Sequence, residues 1–281
     1  MNELKNILVT GANGMFGQDF AILLEKSGFN PVKTDVHNMD ITDENAIRSF
    51  VKANPCDVIV HAAAYTNVDG AESDPETAFL INKTGSENLA KISAEMGIPI
   101  VYLSTDYVFD GTKNTPYLPQ DKTNPINTYG ASKLAGEQAI MQYNPRHYIC
   151  RTSWLYGHKG KNFVETMIKL SKEKTELNVV NDQKGCPTWT VDLGNAIINL
   201  LKEEKGYGIY HTCGTGNTTW YDFANTIFDL MQINIQVKPV TSDEFPRPAK
   251  RPAYSVMNNN GLLRDWKSAL QDYINLREKE L

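Results

Sequence analysis

"NILVTGANGMFG", residues 6–17, carries a short apolar segment of β type straight into a turn with glycines at Gly11, Gly14 and Gly17, and from there into a stretch of helical period. Glycine permits the tight turn and lets backbone N–H groups approach a pyrophosphate at the positive end of the helix. Gly17 lets that helix pack close to the strand. Three glycines at this spacing also occur in plain structural turns, so position decides between the readings. This turn lies on the first strand–helix junction of the chain, the place where open α/β sheets take dinucleotides.

Outward from that turn, apolar runs alternate with helical patterns. "NILVTG", "PVKTD", "DVIVHAAA", "IPIVYLST" and "HYICRTSW" are separated by helical segments around 16–27, 43–53, 76–96 and 129–142. Such alternation predicts repeated βαβ units, hence α/β architecture with a doubly wound, Rossmann-type parallel sheet covered on both faces. Asp43 opens one helix, and Asp74-Pro75 places a cap residue and a first-turn proline ahead of another that Gly97 ends. Past residue 155 the rhythm loosens. Helices are expected near 161–174, 191–204, 219–232 and 266–280, strands at "LNVV" and "GIYHTCG", and a proline-rich ordered loop over "PVTSDEFPRPAKRPAYSVMNNN". The expected organisation is a dinucleotide-binding domain over 1–155 and a smaller C-terminal lobe over 156–281, with some segments returning to the sheet.

The 281 residues include 41% hydrophobic and 22% charged side chains, enough to bury a sizeable core. A net charge of −5 without a Lys/Arg run argues against a nucleic-acid or membrane-surface partner. The apolar stretch in "MNELKNILVTG" is too short for a signal-peptide core or a spanning helix, so a cytoplasmic protein is expected. Cys56, Cys150, Cys186 and Cys213 lie far apart without a CxxC pair, and the five histidines form no ligand-spaced cluster. Buried thiols and no metal are expected.

Chemistry enters where the fourth strand ends, in "YLSTDYVFDG". Ser104 and Thr105 arrive there at the carboxyl edge of the sheet, the ligand-bearing edge. The following helix, "TYGASKLAGEQ" (128–138), sets Tyr129 and Lys133 one turn apart on one face. An ammonium beside a phenol favours its ionised form, and a phenol so tuned exchanges a proton with a substrate oxygen near neutral pH. Thr105 would hydrogen-bond the same oxygen. Asp35, at the end of the second strand, would accept hydrogen bonds from adenosine ribose hydroxyls and favour NAD over NADP, with Lys33 and His37 partly offsetting that preference. It is also read as a solvated strand-end turn.

The glycine turn, "HAAAYTNVD", "STDYVFDG", "YGASKLAGE", "RTSWLYG", "NDQKGCPTW" and "RPAYS", in that order, resemble the extended short-chain dehydrogenase/reductases, and within them the dTDP-4-dehydrorhamnose reductases, over essentially the whole chain. The resemblance implies an oxidoreductase using NADPH or NADH. Tyr129 is then the general acid, Lys133 binds the nicotinamide ribose, and Thr105 completes the triad. It places the turn residues Gly11, Asn13, Gly14, Met15, Phe16 and Gly17, together with Asp35, Asp40, Ile41, Ala62, Ala63 and Ala64, around the cofactor. Thr105, Asp106, Tyr107, Trp154, Gln183 and Arg251 then line a site for a dTDP-linked sugar. Each has a plainer reading: Tyr107 and Trp154 as core aromatics, Arg251 as a solvated loop charge, Asp182-Gln183 as a turn. Some relatives bind magnesium through acidic residues at a subunit contact; Val191 stands where such an acid is expected. Monomer and homodimer both stay open. So do two other functions: a nucleotide-sugar epimerase of the same superfamily, and a non-catalytic subunit resembling the regulatory subunit of methionine adenosyltransferase.

Overall fold

The computed structural model describes residues 4–203 and 205–280. The outermost residues of the expected halves, 1–155 and 156–281, and the end of the helix expected over 191–204 lie outside the described residues. The first half runs β1 (Asn6–Thr10), α1 (Met15–Lys26), β2 (Asn30–Thr34), α2 (Glu44–Ala53), β3 (Val58–His61), α3 (Val68–Ser73) and α4 (Pro75–Phe79). A π-turn (Leu80–Gly85), α5 (Ser86–Glu95), β4 (Ile100–Thr105), a 3₁₀ turn (Asp106–Val108), α6 (Thr128–Tyr143) and β5 (His147–Thr152) follow. Beyond it come β6 (Leu155–Tyr156), α7 (Phe163–Glu173), β7 (Glu176–Val180), β8 (Lys184–Gly185), β9 (Thr188–Trp189) and α8 (Thr190–Lys202). The chain closes with β10 (Gly208–His211), β11 (Thr218–Thr219), α9 (Trp220–Leu230), β12 (Gln236–Val240) and α10 (Trp266–Glu280).

Six strands form one parallel sheet in the order β10-β5-β4-β3-β1-β2. Period-two alternation in β1 explains its central place: Ile7 and Val9 enter the core shared with α1 and α8, whereas Leu8 enters the core on the other face with Ile47, Leu89 and Ile92. Strand order reverses between β1 and β3, so their carboxyl ends open a crevice for a ligand. The chain beyond β5 has a core of its own around Tyr156, Leu177, Phe223, Trp266 and Tyr273. Two of its elements join the sheet half: β10 pairs with β5, and α8 packs on α1.

The start signals act as expected. Asp43 accepts from the Asn45 and Ala46 amides, Asp74 from that of Thr77, and Gly97 takes φ +68° beyond α5. Three details differ from the sequence reading. The helix expected over 76–96 is divided into α4, the π-turn and α5. Asp35 follows β2 rather than ending it. Pro239 and Val240, read as the start of a loop, end β12, which among the described residues pairs only with β7; a proline is tolerated on such an edge, where its missing N–H is not called on by a second neighbouring strand.

Candidate active site

The glycine turn and the carboxyl ends of β1, β3, β4 and β5 bound one cleft of about 950 Å³. Its phosphate-sized end is made by backbone. Gly11 has φ +65°, and a Cβ there would stand 2.8 Å from Ala63 Cα and N; a Cβ on Gly17 would overlap the Gly11 carbonyl oxygen. Gly14 caps α1 with no side-chain hydrogen bond and no acid follows in the first turn, which leaves the helix amides to an anion. This cradle fits a dinucleotide. Beside it Asp35 accepts from the Val36 amide at 2.7 Å and the Asn13 amide at 3.3 Å. Met15, Phe16, Asp40, Ile41, Ala62, Ala63 and Ala64 also line this part of the cleft.

The segment after β3 is held by a residue the sequence reading missed. Asn82, in the π-turn, accepts the Tyr65 amide at 2.8 Å and donates to the Tyr65 carbonyl at 3.1 Å and to Ser132 Oγ at 2.9 Å. The π-turn thus couples residues 62–66 to α6, and no periodicity argument registers one extra residue in a helix.

At the other end of the cleft Thr105, Asp106, Tyr107, Tyr129, Lys133 and Trp154 come together. Asn127 caps α6 through the Gly130 amide and donates to the Lys250 carbonyl, which fixes how Tyr129 enters. Tyr107 meets the Tyr129 ring edge-on at 5.9 Å. Burial pushes the Tyr129 phenol up to about 12, opposed by a hydrogen bond from the Thr105 hydroxyl. This corrects the expectation that Lys133 draws the phenol down: removing the phenol from water outweighs other influences. The Lys133 amine instead donates to the Leu103 carbonyl at 2.7 Å and sits 4.1 Å over the Tyr102 ring; burial lowers it to about 7, against the pull of Glu137.

Glu137 and Arg151 form a pair behind Lys133 that the sequence reading also missed, although an arginine in the apolar strand "HYICRTSW" was its signal. Glu137 is fully buried; its Oε1 accepts from Ser104 Oγ at 2.5 Å and Arg151 Nε at 2.9 Å, and its Oε2 from Arg151 Nη2 at 2.7 Å. The pair binds α6, which carries Tyr129 and Lys133, to β4, which ends in Thr105, and to β5.

Asn13, Gln183 and Arg251 stand outside the cleft wall. Gln183 accepts from Trp220 Nε1 at 3.2 Å, and Trp220, unforeseen, lines the cleft and stacks on Trp154 at 3.5 Å. Trp154 itself takes φ +47°, a conformation rare for a bulky residue. Arg251 donates to Asp69 Oδ1 at 2.6 Å and hydrogen-bonds Tyr107. Among the described residues no cluster of three or more acidic, His or Cys side chains is arranged to hold a metal, and no helix is long and apolar enough to cross a membrane.

A Rossmann-type sheet with a glycine turn at one end of the cleft and a threonine, tyrosine and lysine gathered at the other defines a protein of the extended short-chain dehydrogenase/reductase class. Residues 5–278 match the family model described as RmlD substrate binding domain. The dTDP-4-dehydrorhamnose reductase of Mycolicibacterium smegmatis is 41% identical, over 96% of this chain and 85% of that protein. Among solved structures, the Clostridium acetobutylicum dTDP-4-dehydrorhamnose reductase is 43% identical with TM-score 0.94, covering 97% of this chain and 99% of that one. That of Bacillus anthracis, solved in complex with NADP, is 38% identical with TM-score 0.94, covering 98% and 100%. The chain belongs to the dTDP-4-dehydrorhamnose reductase family.

Proposed function

We propose that this protein reduces the C4 keto group of dTDP-4-dehydro-6-deoxy-L-mannose to give dTDP-L-rhamnose, using NADPH or NADH. The observation that carries this reading is the convergence of Thr105, Tyr129 and Lys133 in a cleft whose far end is the glycine cradle. Gly11, Gly14, Met15, Phe16 and Gly17 would hold the pyrophosphate, Asn13 would steady Asp35 through its amide, Asp35 would hold the adenosine ribose, Asp40 and Ile41 the adenine, and Ala62, Ala63, Ala64 and Lys133 the nicotinamide side. A reduced nicotinamide bound there supplies the hydride.

The residues of this chain manage the proton. A phenol pushed up to about 12 is fully protonated at neutral pH, the state a general acid requires. Tyr129 gives that proton to the oxygen on which charge develops, and Thr105 hydrogen-bonds the same oxygen, so both act where transition-state charge is greatest. Asp106, Tyr107 and Trp154 bound the sugar. Gln183 and Arg251 act one layer out, Gln183 by holding Trp220 and Arg251 by holding Tyr107.

The test is to give purified protein the keto-sugar nucleotide and follow the near-ultraviolet absorbance of the reduced nicotinamide. Oxidation of either NADPH or NADH is expected, and none with both would defeat the reading. Tyr129→Phe should lower turnover by about 10²–10⁴-fold while cofactor binding persists.

A further inference from the structure

A phenol that has given up its proton must be reloaded before the next turnover, and Lys133 has its amine turned to the Leu103 carbonyl. Another route starts at the same phenol. Thr105 hydrogen-bonds Tyr129, and its Oγ1 lies 3.1 Å from Asp106 Oδ1. The Tyr107 amide donates to that hydroxyl oxygen at 3.2 Å and holds it in place. Asp106 lines the cleft yet is only 2% exposed, and its other oxygen, Oδ2, is buried with no hydrogen-bond partner. A carboxylate buried with one oxygen orphaned is costly, and a proton on Oδ1, the oxygen that faces Thr105, removes the charge and most of that cost.

We propose that Asp106 is the proton reservoir that reloads Tyr129 between turnovers, through the Thr105 hydroxyl; this rests on the reductase reading above. After Tyr129 has protonated the substrate oxygen, the Thr105 O–H proton moves to the phenolate and the Asp106 carboxyl proton moves to the Thr105 oxygen. Two O–H bonds break and two form, no electrons are exchanged, and the negative charge passes from phenolate to carboxylate. Water entering the cleft returns the proton to Asp106. A hydroxyl can accept on one side while donating on the other, so Thr105 suits the middle position. Direction follows from basicity: burial holds the phenol near 12 and lifts the Asp106 carboxyl to about 7, so transfer to the phenolate runs downhill.

The groups around Asp106 do not supply a competing charge. Tyr107 in the same turn, Tyr129 from α6 and Cys213 beyond β10 are all raised by burial or its neighbours and stay neutral. Ser255 from the closing loop and Thr105 offer hydroxyls that draw the carboxyl part of the way back down. Arg251, behind Tyr107, is paired with Asp69.

Stopped-flow kinetics on wild type and Asp106→Asn with the keto-sugar nucleotide tests the relay. Steady-state turnover of the wild type should fall as pH rises past about 7, approaching tenfold per unit, because the ionised carboxylate has nothing to donate. In Asp106→Asn that decline should vanish, and the ratio of first-turnover to steady-state rate should rise at least about tenfold above the wild-type ratio. Its slow phase should quicken in proportion to added imidazolium buffer, which a slowed product release would not do. Thr105→Val breaks the same chain and should also lose the decline, so the test survives a poorly folding Asp106→Asn. A variant that keeps the decline and the wild-type ratio overturns the relay alone. Wild-type protein that oxidises no cofactor overturns the reductase reading and the relay together.

Discussion

Replacing Glu137 by Gln keeps the shape of a buried side chain and removes its charge. The carboxylate accepts three hydrogen bonds at 2.5, 2.9 and 2.7 Å, and its partner Arg151 has a side chain only 3% exposed. With Gln, the guanidinium stays buried without a counter-charge, and an NH₂ group faces it where an acceptor stood. Breaking a buried pair from one side costs about 3–5 kcal/mol. For a chain of this size that corresponds to a fall of roughly 5–9 °C in the thermal midpoint. Glu137 is also the group that pulls the Lys133 amine upward, so the variant should lower that amine further. Thermal and denaturant unfolding followed by circular dichroism would measure the loss. The double variant Glu137→Met/Arg151→Met should recover to within about 1 kcal/mol of wild type, since an apolar pair of similar volume carries no desolvation penalty. If the single variant loses less than about 1 kcal/mol, or the double variant is as unstable as the single, the pair does not hold α6 to the sheet in the way described.

Acid should unfold the protein earlier than its carboxylates alone predict. His61 and His211 are held neutral by burial, lowered to about 3, whereas in the unfolded chain each takes up a proton near pH 6.5. Their contribution is therefore intact above pH 6.5 and is lost as pH falls toward 3, with a slope approaching about 2.7 kcal/mol per unit for two protons; a stability flat between pH 6.5 and 5 would contradict this. Asp35→Ser should raise the NADPH-to-NADH affinity ratio by about tenfold or more by removing the charge that repels a 2′-phosphate, as read by fluorescence titration of both cofactors; an unchanged ratio would show that the carboxylate does not face the ribose. Trp220→Ala should raise KM for the sugar nucleotide by about 2–12-fold through loss of the stack that holds Trp154, leave KM for the nicotinamide unaltered, and be largely rescued by Trp220→Phe. Equal effects on both KM values would point to general loosening instead.

Much of the fold could be read from the chain because local signals and tertiary demands coincide in the first half. β1 alternates between two cores, Asp43 and Asp74 cap as their side chains suggest, and the glycine turn has no steric alternative where Gly11 abuts Ala63. That Thr105, Tyr129 and Lys133 share one cleft was legible because one lies at a strand end and two share a helix face. The partners of these residues were not. Asn82 depends on a π-turn, and Arg251 finds Asp69 from the far end of the chain. Trp220 opens a helix and meets Trp154 only in the folded chain, so no local pattern marks it. The upward direction of the Tyr129 shift was not legible, because sequence spacing reports which charges are near and says nothing of how much water is excluded.

The way β10 and α8 close the sheet half has a consequence for biosynthesis. When residue 155 has left the ribosome, β5 still has an open edge, and the face of α1 that meets Leu193, Ile197 and Leu201 is bare. The nucleotide cradle can be formed by then, but its supporting wall arrives only with the segment ending at His211. A nascent chain stalled between those points exposes an unpaired strand beside an apolar helix face, the combination that holdase chaperones recognise and that seeds misassembly.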